Sequence, residues 1–378
     1  MKYFLTGVET NNKGAELMLY AILQEIERFD PNAVVYIDSE NAKQGVDYVN
    51  TNLSLVLVDS LFRYIVNKFH INGILKRLYL PLFDIYTKTP YIDYLIDGSG
   101  LHFTDQMTNS ERVCYWKSIL KRAKKFKAKI IFLPQGFGPI TKTSTREAIS
   151  VLFGYSDLVF CRDRVSYQYL KNCKEADMRK IKLFPDFTSL VEGVFPTQYE
   201  FLRDAVCIIP NMQMVNKGRL SLSDYINYLT DIVQEVKRHD RSVYMLNHQG
   251  GEDESLLEEC KKRLGQIETV SGLNALETKG LISSAYLVIS SRFHGAASAL
   301  NSCVPCLATS WSHKYQCLFE DYQQKNNILT LNDLDNDLKM VDAFLNEENN
   351  REIRKKLSLI VPNLKKETQK MWNLVWSL

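Results

Sequence analysis

The chain has 378 residues, 45% hydrophobic and 24% charged, with a net charge of +3. That length suits two domains, and that composition suits a globular enzyme and excludes a disordered or fibrous chain. The charge balance singles out no partner, and the dispersed basic residues argue against nucleic acid. No stretch reaches the roughly 18 uninterrupted apolar residues of a membrane span. Met1 to Gly7 reads as a first strand, not a cleavable signal, so a cytoplasmic protein is expected.

Strand Tyr3 to Leu5 runs into a polar loop, Gly7 to Glu16, and then a helix with Ala15, Met18, Ile22 and Ile26 at helical spacing. A strand, a glycine-containing loop and a helix make an edge that cradles ligands. The glycines are too sparse for the dinucleotide fingerprint, which excludes NAD. Asn12 is placed to cap the helix, with Glu16 on its surface. Val34 to Ile37 and Leu55 to Val58 are further strands. Leu61 to Tyr91 mixes apolar residues with Arg63, Lys68, Lys76 and Arg77. It suits burial of one face in the domain, and peripheral contact with an anionic membrane is the second reading.

Tyr94 to Asp97 is a strand ending in the turn Gly98-Ser99-Gly100, followed by Leu101-His102-Phe103. Helix Glu111 to Lys127 buries Val113, Trp116 and Leu120 and leaves a basic, solvated face. Strand Lys129 to Leu133 ends at Pro134-Gln135-Gly136-Phe137-Gly138-Pro139, a loop whose shape is fixed and whose backbone a ligand can approach. There Gln135 either offers a hydrogen bond to a ligand or braces the loop. Strand Leu158 to Cys161 ends at Arg162-Asp163, where Asp163 or Ser166 caps the next helix. Arg162 reaches a site or forms a structural salt bridge. Asp186, in Phe184-Pro185-Asp186-Phe187, orients a substrate hydroxyl or makes the turn.

A second set of alternating elements follows. It has strand Ala205 to Ile209, helix Tyr225 to Arg238, and strand Val243 to Leu246 ending in a polar glycine loop. His248 in that loop contacts a ligand or stabilises the loop. Helix Leu273 to Ser283 feeds the strand Ala285 to Ile289, which turns through Ser290-Ser291-Arg292-Phe293-His294 into a helix of small residues. The N–H groups at that helix start favour an anion. Arg292 adds a planar fork suited to carboxylate or phosphate, and His294 can move a proton near neutral pH. The plain alternative pairs Arg292 with a structural carboxylate and makes His294 a cap. Lys314, in the loop Trp311 to Tyr315, can neutralise a phosphate or lie in solvent. The last helix, Asn363 to Trp376, follows Pro362.

Eight cysteines are scattered along the chain, several in apolar segments, as reduced thiols would be. Cys303-Val304-Pro305-Cys306, with Cys317 nearby, is formally half a zinc site or a redox pair. No second such pair completes it, and no His/Asp/Glu cluster has ligand spacing, so neither a metal nor a cofactor is expected.

Several of these segments together resemble the polysaccharide pyruvyltransferase family. They are Asn12-Lys13-Gly14-Ala15-Glu16, the Pro134 to Pro139 loop, Arg162-Asp163 with Ser166, Pro185-Asp186, and Ser291-Arg292-Phe293-His294-Gly295-Ala296. Ala15 stands where many relatives carry Asp. The resemblance implies an α/β fold of two Rossmann-like domains facing a cleft, similar to GT-B glycosyltransferases. The expected divisions are 1–195 on the acceptor side, 204–350 on the phosphoenolpyruvate side, and a helix at 361–378 packing back. The implied activity moves a pyruvyl group from phosphoenolpyruvate to a sugar, commonly lipid-linked, as a ketal. Binding of phosphoenolpyruvate falls to Arg292, Arg162, Ser291 and Lys314, acceptor binding to Asn12, Glu16, Gln135, Asp186 and His248, and acid/base chemistry to His294. A lipid-linked acceptor would place the protein at the inner face of the membrane. The other readings are a glycosyltransferase using a nucleotide sugar and an inactive sugar-binding relative.

Overall fold

Runs such as Ile130 to Gln135 and Val206 to Ile209 are buried along their whole length, which is the signature of strands covered on both faces. The computed structural model describes residues 1–38, 49, 51–58, 91–310 and 313–378. The basic, apolar segment from Leu61 to residue 90 lies outside the described residues, and so does the membrane contact expected of it. Among the described residues no helix is long and apolar enough to cross a membrane.

The chain forms two compact units. The first comprises Met1–Asn11, Met18–Thr188 and Thr368–Leu378, and the second Asn12–Leu17 and Ser189–Glu367. The first carries a parallel sheet of seven strands in the order β3-β2-β1-β4-β5-β6-β7. These are β1 (Lys2–Thr6), β2 (Val34–Asp38), β3 (Ser54–Val58), β4 (Tyr94–Asp97), β5 (Lys129–Gln135), β6 (Leu158–Cys161) and β7 (Ile181–Leu183). The second carries six parallel strands in the order β10-β9-β8-β11-β12-β13. These are β8 (Val206–Ile209), β9 (Val243–Leu246), β10 (Glu268–Val270), β11 (Leu287–Ser290), β12 (Cys306–Thr309) and β13 (Ile328–Leu329). Each is the doubly wound order of a Rossmann-like domain, with the reversal at β1/β4 and at β8/β11.

Side chains alternate across the second sheet. Cys207 and Ile209 join one apolar cluster with Val288 and Ala296, while Val206 and Ile208 join another with Met245 and Ile289. In the first unit Phe4, Leu95, Trp116, Ile130 and Phe132 form a single cluster. Short polar side chains start the helices. Asp163 accepts from the Ser166 amide at 2.7 Å, and Asn274 and Glu277 form a capping box.

Two expectations change. The last helix is continuous over Glu347–Trp376 and passes through Pro362. A helical proline forfeits one backbone bond, but buried Leu357 and Val361 before it and Met371 and Trp372 after it hold both halves in apolar contacts. The tip of this helix belongs to the first unit, where Trp376 stacks on Phe29 at 4.6 Å and Phe187 meets Trp372 edge-on. The first unit also ends at Thr188, earlier than residue 195. Ser189 is tied to the second unit by Asn301, which donates to its carbonyl at 2.9 Å. All eight cysteines are free thiols.

Candidate functional site

Open α/β sheets bind ligands outside the carboxyl ends of the strands where the order reverses. In the second unit that place lies beyond β8 and β11. A side chain ties the two strands together there: Asn211 donates to the Ser291 carbonyl at 2.9 Å. The same carbonyl accepts from the Tyr315 hydroxyl at 2.7 Å. The Ser291 hydroxyl meets Tyr225 at 2.8 Å and Thr309 at 2.6 Å. Ser290 closes the turn, its hydroxyl accepting from the Arg292 amide at 3.1 Å. The helix Phe293–Asn301 then begins, with Arg292 as its first, extended residue.

Arg292 lies against a carboxylate. Its Nε donates to Asp253 at 2.9 Å, its Nη2 bonds the same oxygen, and its Nη1 bonds the Gln249 side-chain oxygen. Three of the five guanidinium donors are thereby engaged among the described residues. Asp253 also accepts from the Met212 amide at 3.0 Å. Burial raises the Asp253 carboxyl above its usual range, against the lowering effect of Arg292.

The N-terminal loop docks onto this turn. Asn12 pairs with Gln249 in an isolated antiparallel bridge, and the Lys13 amide donates to the His248 carbonyl at 3.2 Å. The Asn12 side chain donates to the Gln249 oxygen at 3.3 Å, the oxygen that also receives Arg292. It accepts from the Gly14 amide at 2.9 Å, which caps the helix Lys13–Phe29. Gly14 faces His294: a Cβ there would lie 2.3 Å from the imidazole Nδ1. Glu16 is fully buried and pairs with Lys13 at 2.6 Å, so it is not the surface residue expected.

His248 is buried. Its pKa is pushed well below the usual histidine value, first by burial and then by Arg292, His294 and Lys13. Lys314 lies 5.6 Å from the centre of the Phe293 ring, next to His294.

The first unit has its own polar centre at β1 and β4. Asp97 is fully buried and accepts from Thr6 at 3.0 Å, from the Ser99 hydroxyl at 2.7 Å and from Gln135 at 3.1 Å. Burial raises its pKa to about 6 in spite of these donors. Arg162 lies 3.6 Å from Asp186, which also accepts from the Thr188 amide and hydroxyl. The Arg162 guanidinium passes over the turns at Gly100 and Gly136, within 3.9 Å of where a Cβ would stand.

The predicted residues thus sort by unit differently from the sequence reading. Asn12, Glu16 and His248, expected on the acceptor side, stand in the second unit with Arg292, His294 and Lys314. Arg162, expected to bind phosphoenolpyruvate, stands in the first unit with Gln135 and Asp186. Ser291 is turned into its own bonding network and is 4% exposed, so it supports the turn and does not face a ligand. Asp253 and Gln249 were missed as partners of Arg292, and Asp97, Ser99 and His102 as a centre of their own. Glu235, His239 and Asp342 also come together, His239 at 2.9 Å from Asp342. Asp342 lies over a hundred residues from the other two, so spacing could not show it.

No curated protein matches the sequence significantly. Solved structures do match the fold. A UDP-GlcNAc 2-epimerase from Neisseria meningitidis, bound to UDP-GlcNAc, is 11% identical with a TM-score of 0.60, over 100% of this chain and 99% of that one. S. aureus MnaA, a co-structure with UDP, gives 10% and 0.61 over 99% and 96%. WaaG, a glycosyltransferase of lipopolysaccharide biosynthesis, gives 10% and 0.57 over 99% of both chains. These likenesses establish two Rossmann-like domains of the GT-B kind. The sequence itself matches the family described as Polysaccharide pyruvyl transferase over residues 12–313, nearly the whole chain, and the chain belongs to that family of transferases.

Proposed function

We propose that the protein transfers the pyruvyl group of phosphoenolpyruvate to two hydroxyls of a sugar, forming a ketal and releasing phosphate. The observation that carries this reading is the grouping of Arg292, His294 and the 248–249 turn at the start of the helix Phe293–Asn301, with the Asn12–Gly14 loop docked on them. Such a grouping suits a ligand bearing both a carboxylate and a phosphate. Arg292 holds the donor, with Lys314 nearby. Ser291 holds the turn, and Asn12 holds Gln249 against Arg292. Glu16 fixes Lys13.

His294 delivers a proton to the methylene carbon, which becomes the methyl group. One sugar hydroxyl adds to the central carbon and gives up its proton. The second adds as the bond from that carbon to the phosphate oxygen breaks, and its proton leaves with phosphate. We assign the acceptor to the first unit, with Asp186 toward a sugar hydroxyl and bracing Arg162, while Gln135, fully buried, holds Asp97.

The fold shared with nucleotide-sugar enzymes favours a second reading, a glycosyltransferase. Phosphate release from phosphoenolpyruvate, measured with methyl galactosides, glucosides and mannosides, separates the two. Release that needs one sugar, and is lost in His294→Ala without loss of folding, supports pyruvyl transfer. No release with any sugar, together with thermal stabilisation by a UDP-sugar alone, refutes it.

A further inference from the structure

The buried carboxylate of the first unit has a neighbour that the donor chemistry does not use. The Ser99 hydroxyl lies 2.7 Å from Asp97 Oδ2 and 2.8 Å from His102 Nδ1. Asp97 also receives Thr6, the Ser99 amide and Gln135, so all its contacts are donors and it is held as a carboxylate. Ser99 has one proton, and it goes to Asp97. Toward His102 the same oxygen can only accept. The proton of the imidazole is therefore on Nδ1, and Nε2 carries the lone pair, with no partner among the described residues.

The order carboxylate, serine, histidine is not that of a nucleophilic triad, in which the histidine stands between the other two. Ser99 is also fully buried. What the arrangement creates is an acceptor atom of fixed tautomer on a half-buried ring. Burial, and then Arg112 on the neighbouring helix Ser110–Lys125, lower the His102 pKa to about 4. The ring thus stays neutral, and its lone pair available, throughout the neutral range.

We propose that His102 Nε2 accepts a hydrogen bond from a hydroxyl of the acceptor sugar and so orients it, with Asp97 and Ser99 setting the tautomer. This rests on the pyruvyl-transfer reading and adds to it a residue that contacts the neutral substrate.

Full-length protein carrying 15N-labelled histidine is observed by long-range proton–nitrogen correlation. The His102 signals are assigned by their loss in His102→Gln. The wild type is expected to show Nδ1–H with unprotonated Nε2 at neutral pH, and Ser99→Ala to shift the ring toward Nε2–H. The methyl glycoside that supports phosphate release should move the Nε2 signal, and phosphoenolpyruvate alone should not. In His102→Ala the acceptor KM should rise about tenfold, as for one lost hydrogen bond, with the phosphoenolpyruvate KM unchanged. His102→Gln, which can return an oxygen to the position of Nε2, should recover part of it. An Nε2–H tautomer in the wild type overturns the proposal. So does sugar-dependent phosphate release that His102→Ala leaves intact. If the wild type releases no phosphate with any sugar, the pyruvyl-transfer reading fails, and this proposal with it.

Discussion

Replacing Gly14 by alanine tests the catalytic placement of His294 from a residue that carries no chemistry. The new Cβ would stand 2.3 Å from Nδ1, 2.8 Å from Cγ and 3.0 Å from Cβ of His294. Ordinary contact begins at 3.4 Å, so the ring must withdraw by about 1.1 Å. Because the His294 Cβ is also too close, rotating the ring in place does not relieve the clash. A misplacement of about 1 Å costs on the order of 100-fold in rate. The backbone tolerates the change, since Gly14 has no positive φ and lies in the first turn of a helix. Alanine there gains roughly 0.5–1 kcal/mol over glycine, which offsets the roughly 1 kcal/mol cost of an off-rotamer histidine. The expected result is a kcat for phosphate release lowered about 100-fold at nearly unchanged Tm. Full activity in Gly14→Ala would refute the role of His294, and a large fall in Tm would refute the helix argument.

Two further outcomes follow from the packing around the site. Ser291→Ala removes the partner of the Tyr225 and Thr309 hydroxyls and should cost about 1–3 kcal/mol of stability, read from a denaturant midpoint. The phosphoenolpyruvate KM should change little, and a large KM effect at full stability would return Ser291 to the binding set. Acidification from pH 8 to 5 should lower Tm, because His248 and His102 have folded-state pKa values below their unfolded ones. The stability such groups confer is complete above about pH 6.5 and is lost as pH falls toward the folded value. Asp97, raised to about 6, acts in the opposite sense, favouring the folded state at low pH and losing that contribution as pH rises toward 6. His248→Gln should therefore flatten the acid limb of the Tm curve, and an unchanged limb would exclude His248 as its source.

The sheets were legible in the sequence because buried parallel strands are short apolar runs that end in polar turns. β4, β6 and β9 begin and end where those runs do. β7, β10 and β13 are edge or near-edge strands of two or three residues and carry no such run. The sorting of site residues was not legible. Asn12 to Leu17 comes early in the chain yet belongs with residues 189–367, because the Asn12 bridge to Gln249 and the contact of Gly14 with His294 fix it there. Nothing local announces a pairing across more than two hundred residues. Asp253 was hidden for another reason. Glu252, Asp253 and Glu254 all open the helix Glu252–Leu264, where acidic residues are ordinary partners of the helix dipole. Only the fold turns Asp253, 2% exposed, toward Arg292.

The two reversal points differ in the charge they hold, and this difference supports the proposed division of labour between donor and acceptor. In the first unit the strands at the reversal are tied by Thr6 to Asp97, which leaves a buried carboxylate ringed by neutral donors, while Arg162 is matched by Asp186. A trianionic donor would be repelled there, whereas sugar hydroxyls are not. In the second unit the tie is neutral, Asn211 to the Ser291 carbonyl, and the charges around it are Arg292, Lys13 and Lys314 against Asp253 and Glu16. Under the proposed reading, this difference gives an anionic donor to the second unit and a neutral sugar to the first, although the loops at both sheet edges look alike in sequence.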